Sequence, residues 1–187
     1  AKIIGEGREA LSLKAKAREI AIHSFIEPDL PEITADARQV KQVVQNLADN
    51  AVKYGVAKSD MLIKARLVDN IPPSKSFQVA KGKAVAISVN KGPKISPENL
   101  ARLTERFYRM QEHKDLNIKG TGLGLAIAKH IILRHKGNLT VTSTAYNGTT
   151  FTIWRRTAAP TRAEVEYYLS AFAAEDAQYP EMFSQVA

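Results

Sequence analysis

Three short runs in this 187-residue chain hold residue types and spacings that could do chemistry. The first is Gln45-Asn46-Leu47-Ala48-Asp49-Asn50-Ala51-Val52-Lys53-Tyr54. Asn46, Asn50 and Lys53 stand four and three apart, which puts them on one face of a helix. Amide oxygens are hard ligands suited to Mg2+, and an ammonium beside them can neutralise phosphate. The same spacing also suits a polar helix flank with capping amides. The second run is Gly120-Thr121-Gly122-Leu123-Gly124-Leu125, directly before a helical pattern. Glycines let the backbone approach a phosphate closely, and the N–H groups of a helix start favour an anion. Glycines also merely permit tight turns. No GK[ST] follows, so this is not a Walker A loop, and it does not directly follow a strand as a Rossmann fingerprint would. The third run is Glu105-Arg106-Phe107-Tyr108-Arg109. Arg106 and Arg109 could reach phosphate oxygens; the plainer reading is a solvated helix end with Phe107 packed beneath it.

The elements that must position these runs are legible from periodicity. Val40, Val43, Val44, Leu47 and Ala51 recur at helical spacing and predict a helix from about Asp36 to Tyr54, ended by Gly55. At about 100° per residue, the asparagine and lysine face lies roughly a quarter-turn from that apolar stripe. Leu11 to Arg18 is rich in helix formers, and Glu19 to Ile26 alternates like a half-buried strand before Pro28 and Pro31 break the chain. Met61 to Val68 and Ala84 to Val89 read as strands joined by a proline-bearing connection over 69–83. Ser96-Pro97-Glu98 predicts a capped helix start, with an end near Phe107. Arg109 to Lys119 is polar and without period, as a mobile loop would be. Gly120 to Gly124 then opens a helix to His135 that Gly137 closes, and Leu139–Ser143 with Thr149–Trp154 make a hairpin around Tyr146-Asn147-Gly148. After Pro160 the composition shifts. Thr161 and Glu164 form a capping box for a helix of about ten residues, whose Tyr167, Tyr168, Leu169 and Phe172 are expected to pack on the domain or a partner. The chain therefore divides into a domain over 1–159 and an extension over 160–187.

Composition removes several function classes. Cysteine is absent, and His23, His113, His130 and His135 show no HExxH pattern, so disulfides, thiolate metal sites and a zinc site are not expected. No apolar run approaches the roughly 20 residues a membrane-spanning helix needs, and Ala1 to Glu9 has no signal-peptide pattern. A net charge of +8 favours a polyanionic partner, whether nucleotide, nucleic acid or acidic protein surface, or reflects a solvated basic surface. No recognised reader motif is present, and nucleic acid is not expected as a partner.

The order of the runs adds what none supplies alone. An asparagine helix, a glycine-bearing loop after a strand, ERFYR, a polar loop and GTGLGLAIAKHI together resemble the ATP-binding catalytic domain of sensor histidine kinases, over about residues 10 to 156. Gly148-Thr149-Thr150-Phe151 resembles that family's closing strand. The resemblance implies a two-layer α/β sandwich of the Bergerat type, with a mixed sheet and helices packed on one face. It implies ATP and Mg2+ as ligands, under a lid over roughly Arg109 to Lys119. Carried over by position, Asn50 would be the metal ligand with Asn46 supporting it, and Lys53 would face phosphate. Tyr54 would pack near the adenine; Gly120, Gly122 and Gly124, with Thr121 and Leu123 between them, would cradle the phosphates. Arg106 and Arg109 would join Asn46, Asn50 and Lys53 in catalysis, and Phe107 would belong to the nucleotide site. The partners implied are a phosphoacceptor-histidine hairpin, a response regulator and, in the parent protein, a second copy. The implied location is cytoplasmic, with the bacterial inner membrane as the place of any anchor in the parent.

The match departs from the family at the adenine loop. The family's Asp-x-Gly-x-Gly corresponds here to Asn90-Lys91-Gly92-Pro93-Lys94. Asn90 offers a neutral acceptor where a carboxylate is expected, at a cost on the order of 1–2 kcal/mol, about ten-fold in affinity. Lys94 replaces a glycine; its side chain would either obstruct the base or swing outward. None of the four histidines is followed by Asp or Glu, so the phosphorylated histidine is expected on a hairpin upstream in the parent or on another chain. The alternative reading is a degenerate kinase-like module that binds nucleotide weakly or not at all and works by docking to a kinase hairpin or response regulator.

Overall fold

The apolar stripe of the asparagine helix seeds the core. Asp36 caps that helix, α2 (Ala37–Tyr54), its carboxylate accepting from the N–H groups of Arg38 and Gln39 at 2.8 and 3.2 Å. Seven of its residues, from Val40 to Val52, are buried. The computed structural model describes residues 2–71, 80–90, 92–111, 118 and 120–157. Within them, α1 (Lys2–Ala17) and α4 (Gly124–Arg134) flank α2, and the short α3 (Pro97–Arg102) precedes the ERFYR run.

Five strands form one sheet: β1 (Ala21–Ile26), β2 (Asp60–Ile71), β3 (Ala80–Asn90), β4 (Gly137–Thr144) and β5 (Gly148–Arg156). Their order is β1-β2-β3-β5-β4, with β1 parallel to β2 and every other pair antiparallel. The mixed sheet with helices on one face is the expected architecture. Met61 and Ile63 of β2, Val89 of β3, and Phe151 and Ile153 of β5 meet Ile4 and Leu11 of α1, the stripe of α2, and Ala128, Ile131 and Ile132 of α4.

Several boundaries differ from the sequence expectation. The first helix begins at Lys2, because Ile4, Gly7, Leu11 and Ala15 continue one buried face; the glycines hide that face from a hydropathy reading. β1 is an edge strand in which only Ile22 and Ile26 are half-buried and Phe25 is 55% exposed, so alternation there is weak. α3 ends at Arg102 rather than near Phe107, whose φ of 61° is incompatible with a helix. α4 ends at Arg134, Lys136 takes the left-handed turn at φ 53°, and Gly137 becomes the first residue of β4. A Cβ at Gly137 would stand 2.4 Å from the Trp154 carbonyl oxygen, so glycine is required there. β2 and β3 extend into the expected connection; the proline-bearing stretch 72–79, most of the polar loop (112–117 and 119), Lys91, and the extension over 160–187 lie outside the described residues.

Candidate functional site

The polar flank of α2 and the start of α4 meet. Asn46 Nδ2 donates to the Gly124 carbonyl oxygen at 3.2 Å. A Cβ built at Gly124 would lie 3.8 Å from Asn50 Nδ2 and 3.9 Å from Asn46 Cγ, so a glycine lets the helix start come right up to both amides. One turn further along α2, a Cβ at Gly120 would stand 2.4 Å from Lys53 Nζ and 3.3 Å from Tyr54 Oη. The Lys53 ammonium also sits 4.9 Å from the centre of the Tyr54 ring. Gly122 has φ +76°, and a Cβ there would lie 2.7 to 2.9 Å from the Phe107 backbone. No other residue fits that approach.

The last turn of α2 is held from outside. The Arg18 guanidinium, at the end of α1, donates to the carbonyl oxygens of Val52 at 2.5 Å, of Lys53, and of Gly55 at 3.0 Å. Those are the carbonyls a helix C-terminus leaves without intrahelical partners, and a cation there complements the helix dipole. Lys14, one turn earlier on α1, pairs with Asp49 at 2.8 Å. The neighbouring acid of α2 is thus neutralised, while Lys53 and Arg109 keep the site basic.

These groups open onto a cavity of about 570 Å3, a size that suits a nucleotide-scale ligand. Of the residues expected in a site, Asn46, Asn50, Lys53 and Tyr54 line it from α2. Gly120, Thr121, Gly122 and Gly124 line it from the glycine run, Arg109 from the ERFYR run and Gly92 from the loop after β3. Arg109 Nη2 donates to the Ile118 carbonyl oxygen, while its Nε is buried with no hydrogen-bond partner among the described residues. A buried guanidinium N–H with no acceptor among the described residues, lining the same cavity as an ammonium and a glycine cradle, fits an anionic ligand.

Five expected site residues do not line the cavity. Lys94 is exposed and lies off its wall. Asn90 is half-buried at the end of β3, paired with Leu62 and Thr150. Phe107 is 59% exposed, neither on the wall nor packed beneath a helix end. Arg106 and Leu123 are half-buried outside the lining.

Sequence reading missed part of the wall. Thr149, 2% exposed, donates to the Pro93 carbonyl oxygen at 2.7 Å and lies 2.9 Å from Ser143 Oγ, which accepts from the Ile95 N–H at 2.8 Å. The two hydroxyls tie the loop after β3 to the β4–β5 hairpin. Gly148 seats against the same loop, since a Cβ there would stand 2.2 Å from the Gly92 oxygen. Ile95, Met110 and Phe151 supply apolar lining. The GTTF run hinted at Thr149; nothing in local pattern pointed to Arg18 or Met110, which come to the cavity only through the fold.

Comparison with known proteins adds the family. Residues 35–158 match the family model described as histidine kinase-, DNA gyrase B-, and HSP90-like ATPase. The chain is 33% identical over 140 residues to the sensor histidine kinase CusS of Escherichia coli K12, covering 75% of this chain and 26% of that protein. It is 37% identical over 124 residues to the non-motile and phage-resistance protein of Caulobacter vibrioides, covering 66% of this chain and 14% of that one. It thus spans about a quarter or less of these relatives' length. Among solved structures, full-length ShkA in complex with AMPPNP superposes with a TM-score of 0.63 at 28% identity, covering 87% of this chain and 31% of that one. The catalytic domain of histidine kinase ThkA shares the fold, with a TM-score of 0.63 at 22% identity, covering 83% of this chain and 90% of that one. With an asparagine helix, a glycine-led helix and a mixed sheet, the chain belongs to the histidine kinase-, DNA gyrase B- and HSP90-like ATPases, and it is in this portion that it is similar to sensor histidine kinases.

Proposed function

We propose that the domain binds ATP with Mg2+ in the cavity between α2 and α4 and presents the γ-phosphate to a histidine on a separate helical hairpin. The observation that carries this reading is the meeting of Asn46, Asn50 and Lys53 with the glycine-led start of α4 at one wall. Asn50 would offer its amide oxygen to the metal, and Asn46, tied to the Gly124 carbonyl, fixes the helix start beside it. Lys53 and Arg109 neutralise phosphate oxygens. Mg2+ held there would supply further charge neutralisation to the phosphates. Tyr54 packs beside the base, and Gly120, Gly122 and Gly124 let N–H groups reach phosphate. The acceptor imidazole attacks the γ-phosphorus as the bond to the bridging oxygen breaks and ADP leaves. The chain's task in that step is positioning and charge, as in phosphoryl transfer generally. The hairpin, a response regulator and a second copy of the parent are its partners in this reading. No helix among the domain's described residues is long and apolar enough to cross a membrane.

The second reading, a docking module with a failed nucleotide site, draws on Asn90 and Lys94. The exposed course of Lys94 weakens its steric half and leaves the lost carboxylate at Asn90. Calorimetric titration with a non-hydrolysable ATP analogue and Mg2+ separates the two. Micromolar binding by the native chain, with the Mg2+-dependent part of the affinity lost in Asn50→Ala, supports catalysis. No binding by the native chain, restored in Asn90→Asp/Lys94→Gly, makes docking its function.

A further inference from the structure

Part of the sheet face turned away from α1, α2 and most of α4 is dry where an open face should be wet. Along β3, Val85 and Val89 alternate with Ala84 and Ala86, and Val89 joins the helix-side core. Ala84 and Ala86 therefore point to the outer face. By register, Ala86 stands between Arg66 of β2 and Trp154 of β5. Ala84 and Ala86 are 0% exposed, and Thr152 and Trp154 each 7%. With Leu133 and the partly buried Val68, the two alanines and the indole form a second apolar cluster, separate from the main core. On β4, Asn138 pairs with Trp154 and its Nδ2 is buried with no hydrogen-bond partner among the described residues.

An indole laid over two alanines on a bare sheet keeps much of its upper surface in water; this one does not. Lys64 and Arg66 on β2 and Thr142 on β4 share that face and are exposed, so the dry strip runs along β3 and β5, with Val68 of β2 at one side and Asn138 of β4 at the other. The long helices reach it only through Leu133, at the end of α4; their other core residues pack on the opposite face. The chain itself continues from the end of β5, two residues after Trp154, into the extension that lies outside the described residues. Its sequence carries Val165, Tyr168, Leu169 and Phe172 at i, i+3, i+4 and i+7, one apolar face of a helix behind the Thr161–Glu164 capping box. Neighbouring strands lie about 4.8 Å apart, and eight residues from Thr157 to Val165 reach up to about 26–29 Å. The link is long enough to seat that helix on the strip.

We propose that the extension after Pro160 docks as an amphipathic helix across the outer face of β3 and β5, with Val165, Tyr168, Leu169 and Phe172 on Ala84, Ala86 and Trp154. This stands independently of the nucleotide reading. The chain has one tryptophan, so its fluorescence reports on the strip alone. In the full chain, Leu169→Asp/Phe172→Asp is expected to shift Trp154 emission to the red and raise its quenching by acrylamide several-fold, with the far-ultraviolet dichroism of the domain retained. A photo-crosslinking residue at position 172 of the otherwise native chain is expected to join to peptides of β3 or β5, whatever the fate of the double variant. Unchanged emission together with crosslinks only elsewhere would overturn the proposal. So would emission that responds to Phe77→Ser in the β2–β3 connection, or that changes with protein concentration, since the cover would then be that connection or a second copy.

Discussion

At the scale of single residues, three glycines do three different jobs, and substitution separates them. At Gly122 an added methyl group meets backbone at 2.7 Å and the φ of +76° is left-handed, so Gly122→Ala is expected to cost about 1–3 kcal/mol, read by urea unfolding. At Gly120 the obstacle is the flexible end of Lys53. Gly120→Ala should therefore leave stability nearly unchanged and weaken nucleotide affinity by displacing the ammonium; an equal loss of stability in both variants would sink this distinction. Gly124 needs no special conformation and admits the asparagine amides. The sequence displayed all three glycines in one run, because local spacing is what a sequence preserves. It could not rank them, because their neighbours Phe107, Lys53 and Asn50 come from distant segments. The same limit applied to Lys94, whose exposed position depends on how Thr149 and Ser143 hold the loop.

At the scale of elements, α2 is fixed at both ends by groups outside it. Its N-terminus rests on Asp36, whose carboxyl is held below the ordinary range first by the Gln39 N–H and then by the Arg38 N–H. A lowered folded value means that the cap stabilises above the unfolded carboxylate range and fades as pH falls through the folded value. Asp36→Ala is thus expected to be less stable than the native chain at neutral pH, with the gap closing in acid, as thermal melts across pH would show. The Asp36 N–H that donates to His135 Nε2 survives the substitution, so that contact cancels from the comparison. At the other end, Arg18→Ala strips the partner from three carbonyls and should cost about 1.5–3 kcal/mol. That corresponds to about 2–4 °C in Tm per kcal/mol. A melt unchanged by Arg18→Ala would show that water serves those carbonyls equally well. The periodicity of α2 was legible because its apolar stripe is unbroken; the early start of α1 was not, because Gly5 and Gly7 interrupt its hydropathy.

At the scale of the whole molecule, the cavity exists only in the folded chain, being walled by segments from Lys14 to Phe151. A ligand there stabilises the native state by mass action, by about 2.7 kcal/mol at a hundred-fold excess over Kd. An ATP analogue with Mg2+ is expected to raise Tm in step with its concentration, and GMP far less; equal shifts from both would point to non-specific phosphate binding. Fold class was legible through the family resemblance, which the order of the asparagine helix, ERFYR and GTGLGLAIAKHI carries. Strand order was not: β3 pairs with β2 across a short connection but with β5 across the whole stretch from 91 to 147. That arrangement has a consequence for the newborn chain. At about 5–20 residues per second, ribosomal synthesis leaves the second edge of β3 unpartnered for several seconds while α3, α4 and β4 emerge. A hydrophobic central strand with an open edge is a template for aggregation, so the chain must pass through its most vulnerable moment just before β5 is made.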